Sequence, residues 1–391
     1  MDKRWQFIQE FLEKQSERGL RRILRPRSAL KTPGKIGIGG EELLDLSSND
    51  YLGLKNDPRL AKAMSAAASR WGSGSGASRL ISGDTELHER VEAALARFHG
   101  TGAALTFSSG YAAGVGLIPA FAGRGDRVYL DRLCHASLYD GAILSGARLE
   151  RFRHNDPGHL AELLERDSGR SGRGLVVTDT VFSMDGDRAP LKELAALCRN
   201  HGALFIADEA HAVGVLGPGG RGLAAEHGLG AEDVLVLGTL GKAFGVSGAY
   251  VACTDETRDY LINTCRSFIF STAPPPPLLA AVEKALEIVL EADSPRARLL
   301  DMAERLRRTL NEKGISTLES STQIVPALAG EPRAALEFAE CLRREKIFAP
   351  AVRPPTVPPG TSRVRFSLSA ALRAEDFEYL LEALGRALGQ M

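Results

Sequence analysis

Lys242 is the only charged residue from Val234 to Thr254, and it sits in the string Gly238-Thr239-Leu240-Gly241-Lys242-Ala243-Phe244-Gly245. Apolar surroundings disfavour an ammonium and lower its pKa toward the free amine that a nucleophilic or Schiff-base lysine needs. The competing reading is a lysine whose stem crosses a loop and whose head reaches water. Upstream, Asp208 ends the apolar run Ala203–Ala207 and opens Asp208-Glu209-Ala210-His211. An acid at the carboxyl end of a strand in an open parallel sheet projects to where ligands collect, and a buried carboxylate there needs a cationic partner. Asp-Glu-Ala-His also marks a nucleotide-binding motif of nucleic-acid helicases. Against that reading, Val236 and Ala243 occupy defining positions of G-x-x-x-x-G-K-[ST], and Lys242 follows the acidic string instead of preceding it.

Three further places carry chemistry of a recognisable kind. Ser108-Ser109-Gly110-Tyr111 follows the apolar run Ala104–Phe107 and opens the apolar stretch Tyr111–Phe121. Hydroxyls and free N–H groups at a helix N-terminus suit a phosphate, and Tyr111 adds an aromatic face; simple N-capping by either serine is the alternative. His135 follows the run Val128–Leu130 and begins another helix, as a cap or as a catalyst. Arg353 stands beside Pro354 and Pro355, which suits either a rigid fork for a carboxylate or a plain turn. Gly72-Ser73-Gly74-Ser75-Gly76 follows a helical pattern, not a strand, so it reads as a loop and not as a dinucleotide fingerprint. The histidines include no H-E-x-x-H pair and no cysteine at metal-ligand spacing, and no metal site is expected.

The elements that must position these residues follow from the pattern. Between about residues 55 and 292, helical stretches such as Glu86–Phe98 and Leu191–Asn200 alternate with short apolar runs at Ala104–Phe107, Arg127–Leu130, Gly174–Thr178, Ala203–Ala207 and Val234–Leu237. The intervening helices prevent hairpins, so the pattern predicts an α/β fold with a mainly parallel, doubly wound sheet. From 293 to 391, helices at Ala297–Asn311, Arg333–Arg344 and Ala374–Leu388 alternate with strand-like runs at Gln323–Pro326, Ile347–Ala351 and Arg363–Leu368, predicting a smaller α+β domain. Residues 1–54 read as an amphipathic helical arm and a segment that joins the small domain. The 49 basic residues balance 49 acidic ones, which disfavours nucleic acid or an anionic membrane as partner. The five cysteines are odd in number and form no C-x-x-C pair, as in a reducing cytosol. Met1 to Gln15 has no signal-peptide core and no apolar run downstream is long enough to span a membrane, so a cytoplasmic protein is expected.

Together, the isolated lysine, the upstream acid, the aromatic after a phosphate-type turn and the histidine between them resemble the fold type I pyridoxal-phosphate enzymes. Ser47-Ser48-Asn49-Asp50-Tyr51-Leu52-Gly53, Val181-Phe182-Ser183-Met184-Asp185-Gly186-Asp187, Asp208-Glu209-Ala210-His211, Gly241-Lys242-Ala243-Phe244-Gly245, Ser271-Thr272 and Arg353-Pro354-Pro355-Thr356 are similar, in that order, to the α-oxoamine synthase family. The resemblance covers nearly the whole chain. It implies an aminotransferase-like fold and pyridoxal 5'-phosphate as cofactor. Lys242 would hold the cofactor covalently and act as the base at the amino acid's Cα, Asp208 would pair with the protonated pyridine nitrogen, and His135 would stack on the ring. Ser183 and His211 would lie near the phenolic oxygen. Ser109, Gly110, Tyr111 and Thr239 would serve the cofactor and its phosphate, with Ser271 and Thr272 reaching a phosphate across a homodimer interface. Arg353 would take the amino-acid carboxylate, and Arg21, Asn49 and Thr356 would contact substrate. One departure is visible: Gly114 stands where the family commonly has Asn.

The activity implied is a decarboxylative condensation of L-alanine with a pimeloyl thioester carried on coenzyme A or acyl carrier protein. The string from Arg353 to Pro358, with Gly360 to Arg365, resembles the biotin-pathway branch that does this. Other branches join glycine to acetyl or succinyl coenzyme A, and a non-catalytic cofactor-binding regulator is the alternative of a different class.

Overall fold

The computed structural model describes residues 3–30 and 32–390, and the chain forms two compact units. The larger comprises residues 49–183 and 187–297; the smaller gathers 1–48, 184–186 and 298–391.

The larger unit is built on a seven-stranded sheet whose strands are β1 (Ala103–Phe107), β2 (Arg127–Asp131), β3 (Arg148–Phe152), β4 (Gly174–Asp179), β5 (Leu204–Asp208), β6 (Leu235–Thr239) and β7 (Ala249–Cys253). Their spatial order is β1-β7-β6-β5-β4-β2-β3. The pairs from β3 through β6 are all parallel, in agreement with the doubly wound α/β pattern. Leu175, Val176, Val177, Ile206, Ala207 and Leu237 are all but inaccessible, as continuous apolar runs covered on both faces should be. Parallelism also means that Asp131, Asp179, Asp208 and Thr239, each the last residue of its strand, lie along one edge of the sheet.

β7 is the exception, running antiparallel to both β1 and β6. Its connection from β6, residues 240–248, contains no helix and is too short for a crossover, so the two strands can only pair as a hairpin. Lys242 sits in that connection. Gly245 folds it back with φ at 68°, its N–H donating to the Lys242 carbonyl at 2.9 Å; a Cβ at 245 would come within 2.5 Å of the Lys55 nitrogen.

Phe268–Phe270 forms neither a strand nor a uniform apolar surface. Arg266–Ile269 is a single helical turn with Phe268 buried in the core and Phe270 exposed.

The smaller unit has the helix Asp293–Glu312 from residue 298 onward, the helices Pro332–Arg344 and Ala374–Leu388, and an antiparallel three-stranded sheet of Ile324–Gly330, Ser362–Ser367 and Ala351–Val352. A second sheet joins the hairpin Lys35–Ile38/Glu41–Asp45 to Ile347–Phe348. The run Ile347–Ala351, expected as one strand, is divided between the two sheets, because Pro350 has no N–H to continue either ladder. Residues 184–186 are held here by the buried Arg363, which pairs with Asp185, and by Ser321 and Thr322, which donate to the Gly186 carbonyl at 3.0 and 2.9 Å. Among the described residues no helix is long and apolar enough to cross a membrane.

Candidate active site

A cavity of about 210 Å³ opens at the carboxyl edge of the large sheet, lined by Gly110, Tyr111, His135, Ser137, Asp179, Asp208, Ala210, His211, Thr239 and Lys242. Seven of these, Gly110, Tyr111, His135, Asp208, His211, Thr239 and Lys242, were named from the sequence, His211 and Thr239 through the family resemblance, and the fold brings them to one place. The string Asp208-Glu209-Ala210-His211 divides as it leaves β5. Asp208 and His211 line the cavity, while Glu209 turns away and accepts from Thr180 Oγ1 at 3.0 Å and from the N–H groups of Leu223 and Ala224 at 3.0 and 2.7 Å. Fully buried, it is pushed up to about 7. Glu209 is therefore a fixed structural acceptor at the start of the helix Leu223–Glu226, which is not a role that a nucleotide-hydrolysing motif gives it.

Asp208 accepts from the Ala210 N–H at 2.9 Å and stands level with Asp179 across the β4–β5 pair. Burial, reinforced by the Asp208 charge, pushes Asp179 well above the usual carboxylate range; burial also raises Asp208, with Lys242 the main group pulling it back. Lys242 and, more weakly, His135 oppose that rise at Asp208, and a further cation placed against Asp208 would stabilise its ionised form.

Lys242 Nζ lies 2.8 Å from His211 Nε2, His211 Nδ1 lies 2.6 Å from the buried Tyr51 hydroxyl, and that hydroxyl donates to Asn49 Oδ1 at 3.3 Å. An ammonium can only donate, so a charged Lys242 makes Nε2 the acceptor and Nδ1–H the donor to Tyr51; every bond then runs in one direction. His135 caps the helix Ala136–Ser145, its Nδ1 accepting from the Ser137 N–H at 3.3 Å. Partial burial lowers its pKa. Ser109 caps Gly110–Phe121 by accepting from Ala112 N–H at 3.1 Å, so the capping expectation is met while the first-turn N–H groups of Gly110 and Tyr111 have no intrahelical acceptor. Thr239 Oγ1 accepts from Gly241 N–H at 3.4 Å and donates to the Gly248 carbonyl at 3.2 Å. Tyr111 hydrogen-bonds the Asp140 carboxylate through its hydroxyl.

The remaining sequence-derived residues are not among those that line this cavity. Ser183 is in the loop closed by the Val181–Arg188 bridge and does not line this cavity. Thr272 bridges Ser78, with Ser271 beside it. Arg21, Arg353 and Thr356 belong to the smaller unit, where Arg21 and Arg353 line a separate cavity of about 750 Å³ together with Arg22, Arg25 and Arg343. Arg353 bonds the Gly19 carbonyl, and Thr356 accepts from Arg22 at 3.0 Å, not from Arg21. Asp179, Ser137 and Tyr51 were not singled out. Asp179 carries the same signal as Asp208, an acid ending an apolar run; Ser137 and Tyr51 carry none that spacing reveals.

Among known proteins, the pattern described as aminotransferase class I and II matches residues 41–384. An 8-amino-7-oxononanoate synthase of Geobacter sulfurreducens is 50% identical over 380 residues, which cover 96% of each chain. A solved structure of a serine palmitoyltransferase variant from S. paucimobilis, carrying pyridoxal phosphate joined to myriocin, is 32% identical with a TM-score of 0.91 over 99% of each chain. The structure of an 8-amino-7-oxononanoate synthase from Francisella tularensis is 28% identical, with a TM-score of 0.77 over 89% of this chain and 98% of that one. The sheet, the cavity at its carboxyl edge and these likenesses agree, and the chain belongs to the class I and II aminotransferase family, with relatives among the 8-amino-7-oxononanoate synthases matching it over nearly its whole length.

Proposed function

We propose that this chain is a pyridoxal 5'-phosphate-dependent acyltransferase that condenses L-alanine with a pimeloyl thioester to give 8-amino-7-oxononanoate, carbon dioxide and the free thiol carrier. The observation that carries the reading is that the buried Asp208 carboxylate and the Lys242 amine line one cavity at the carboxyl edge of the sheet, beside the first turn of the helix Gly110–Phe121. The donor set fits the cofactor. Asp208 would take the protonated ring nitrogen, the first-turn N–H groups of Gly110 and Tyr111 with Thr239 would take the phosphate, and Lys242 would hold the group covalently through Nζ. When bound, pyridoxal phosphate supplies an electron sink conjugated to the amino acid's Cα.

The chain's own residues do the rest. Lys242, freed by the incoming alanine, removes the Cα proton, and its contact with His211 gives that proton a route toward Tyr51. The Cα carbon bonds to the acyl carbonyl, the C–S bond breaks and the thiolate leaves. The alanine carboxylate then departs as carbon dioxide, and its electron pair is protonated at Cα from Lys242. His135 would cover one face of the bound ring and keep water from it. Arg353 is the fork for the amino-acid carboxylate, and Arg21, Asn49 and Thr356 serve the substrates. The protein works as a homodimer in which Ser271 and Thr272 complete the partner's phosphate site.

A product assay pairing alanine, glycine and serine with pimeloyl, acetyl, succinyl and palmitoyl thioesters tests the reading. Alanine with a pimeloyl thioester should dominate and release one carbon dioxide per amino ketone. Predominant turnover of glycine with an acetyl thioester would overturn the assignment, and binding of the cofactor without any condensation would favour a regulator.

A further inference from the structure

Gly114 and Ser137 meet where the helices Gly110–Phe121 and Ala136–Ser145 touch. A Cβ at 114 would stand 2.5 Å from Ser137 Oγ and 3.0 Å from Ser137 Cβ, distances that force something to move. From the other side, a Cβ at Gly141 would come within 2.8 Å of the Gly114 carbonyl. The two backbones are therefore in contact, and a side chain such as Asn at 114 does not fit without displacing Ser137. The space that Gly114 leaves is occupied by the buried Ser137 hydroxyl, 2.8 Å from His135 Nδ1.

A backbone N–H always donates, and the N–H of Ser137 is aimed at Nδ1. At 3.3 Å that is a long contact; it favours Nδ1 as the acceptor, and the hydroxyl, 2.8 Å away, is the closer donor to the same lone pair. We infer that Ser137 is a positioning residue for His135: hydroxyl and N–H together hold Nδ1 unprotonated, place the ring's only proton on Nε2 and prevent a ring flip, and Gly114 is the residue that makes room for this lock. Its importance for cofactor binding rests on the reading of His135 given above; the lock itself does not. The low pKa of His135 agrees with a ring that stays neutral.

The test is ¹⁵N NMR of ring-labelled histidine in the full-length protein, with and without bound pyridoxal 5'-phosphate, the His135 signals being assigned by their loss in His135→Asn. In the parent protein Nδ1 should resonate as an unprotonated nitrogen and Nε2 as a protonated one. Ser137→Ala, which adds no bulk and leaves only the longer 3.3 Å N–H contact on Nδ1, should draw the two shifts together as both tautomers populate. Gly114→Ala should do the same by displacing the hydroxyl, and the double variant should add nothing further. Unchanged His135 shifts in Ser137→Ala would overturn the proposal, whether or not Gly114→Ala alters them. Pyridoxal 5'-phosphate titrations separate the two readings: loss of one hydrogen bond's worth of ring positioning should weaken binding about five-fold. Altered His135 shifts with unaltered cofactor affinity would support the lock and contradict the placement of His135 at the cofactor.

Discussion

Asp208 owes its usefulness to where β5 ends. Its carboxylate is buried beside a second one, Asp179, and both are raised by burial, so a cationic ring nitrogen placed against Asp208 would be held protonated by a group with little water to screen it. Asp208→Asn keeps the shape and the Ala210 contact but removes that charge. Pyridoxal 5'-phosphate should still bind, while exchange of the alanine Cα proton with solvent falls about 10²–10³-fold, the usual loss for one preorganised electrostatic contact in a transition state. Exchange at the parent rate in Asp208→Asn would remove Asp208 from the chemistry. Lys242 is legible in the sequence because a single charge among apolar residues is conspicuous in one dimension, and Asp208 because it is the acid that ends an apolar run. Tyr51 is not, because its partner His211 lies 160 residues away and no local spacing records that pairing. Arg353 is legible only as a rigid arginine, since its surroundings are Gly19 and neighbouring arginines that come from the other end of the chain.

Among elements, the loops that leave the sheet edge are tied to one another by a histidine outside the cavity. His154 Nδ1 bonds Asp131 at the end of β2, 3.1 Å away, and Nε2 bonds Asp187 at 2.8 Å, within the loop that carries Ser183. Asn155 adds bonds to both acids, from its N–H to Asp131 and from Nδ2 to Asp187. Burial opposes the charge, but the two carboxylates outweigh it and raise His154 from 6.5 to about 9. Because the folded pKa is raised, the stabilisation is fully present below 6.5, the unfolded value, and is lost as pH rises through 9. Urea unfolding of the parent and of His154→Gln should therefore show a stability difference that is largest near pH 6 and shrinks toward pH 9.5. A difference that does not depend on pH would mean that the imidazole is uncharged in the folded protein. The helices and parallel strands are legible from their apolar periods. The reversed β7 is not, because orientation depends on how long a connection is and on what it packs against, and the split of Ile347–Val352 between two sheets depends on partners from distant parts of the chain.

For the molecule as a whole, the sharing of active sites between two copies is the largest expectation. Thr272 and Ser271 sit on a segment pinned to its own unit: Ala273 N–H donates to the Ala77 carbonyl at 3.0 Å, and Ser75 Oγ donates to the Pro274 carbonyl at 2.9 Å. Four consecutive prolines follow from Pro274, so little ordering entropy remains to be lost when the segment meets a partner. Mixing Lys242→Ala with a Ser271→Ala/Thr272→Ala variant under conditions of subunit exchange should restore activity, because half of the sites in a mixed dimer then carry neither defect. If each site is built from one chain, mixing restores nothing. The central claim, that Lys242 is where the cofactor is held, is tested most directly by the intact mass of the whole chain after borohydride reduction in the presence of pyridoxal 5'-phosphate. One reduced pyridoxyl-phosphate adduct per chain, mapped by peptide fragmentation to Lys242 and absent from Lys242→Ala, is the predicted result; an adduct on a different lysine, or none at all, would contradict it.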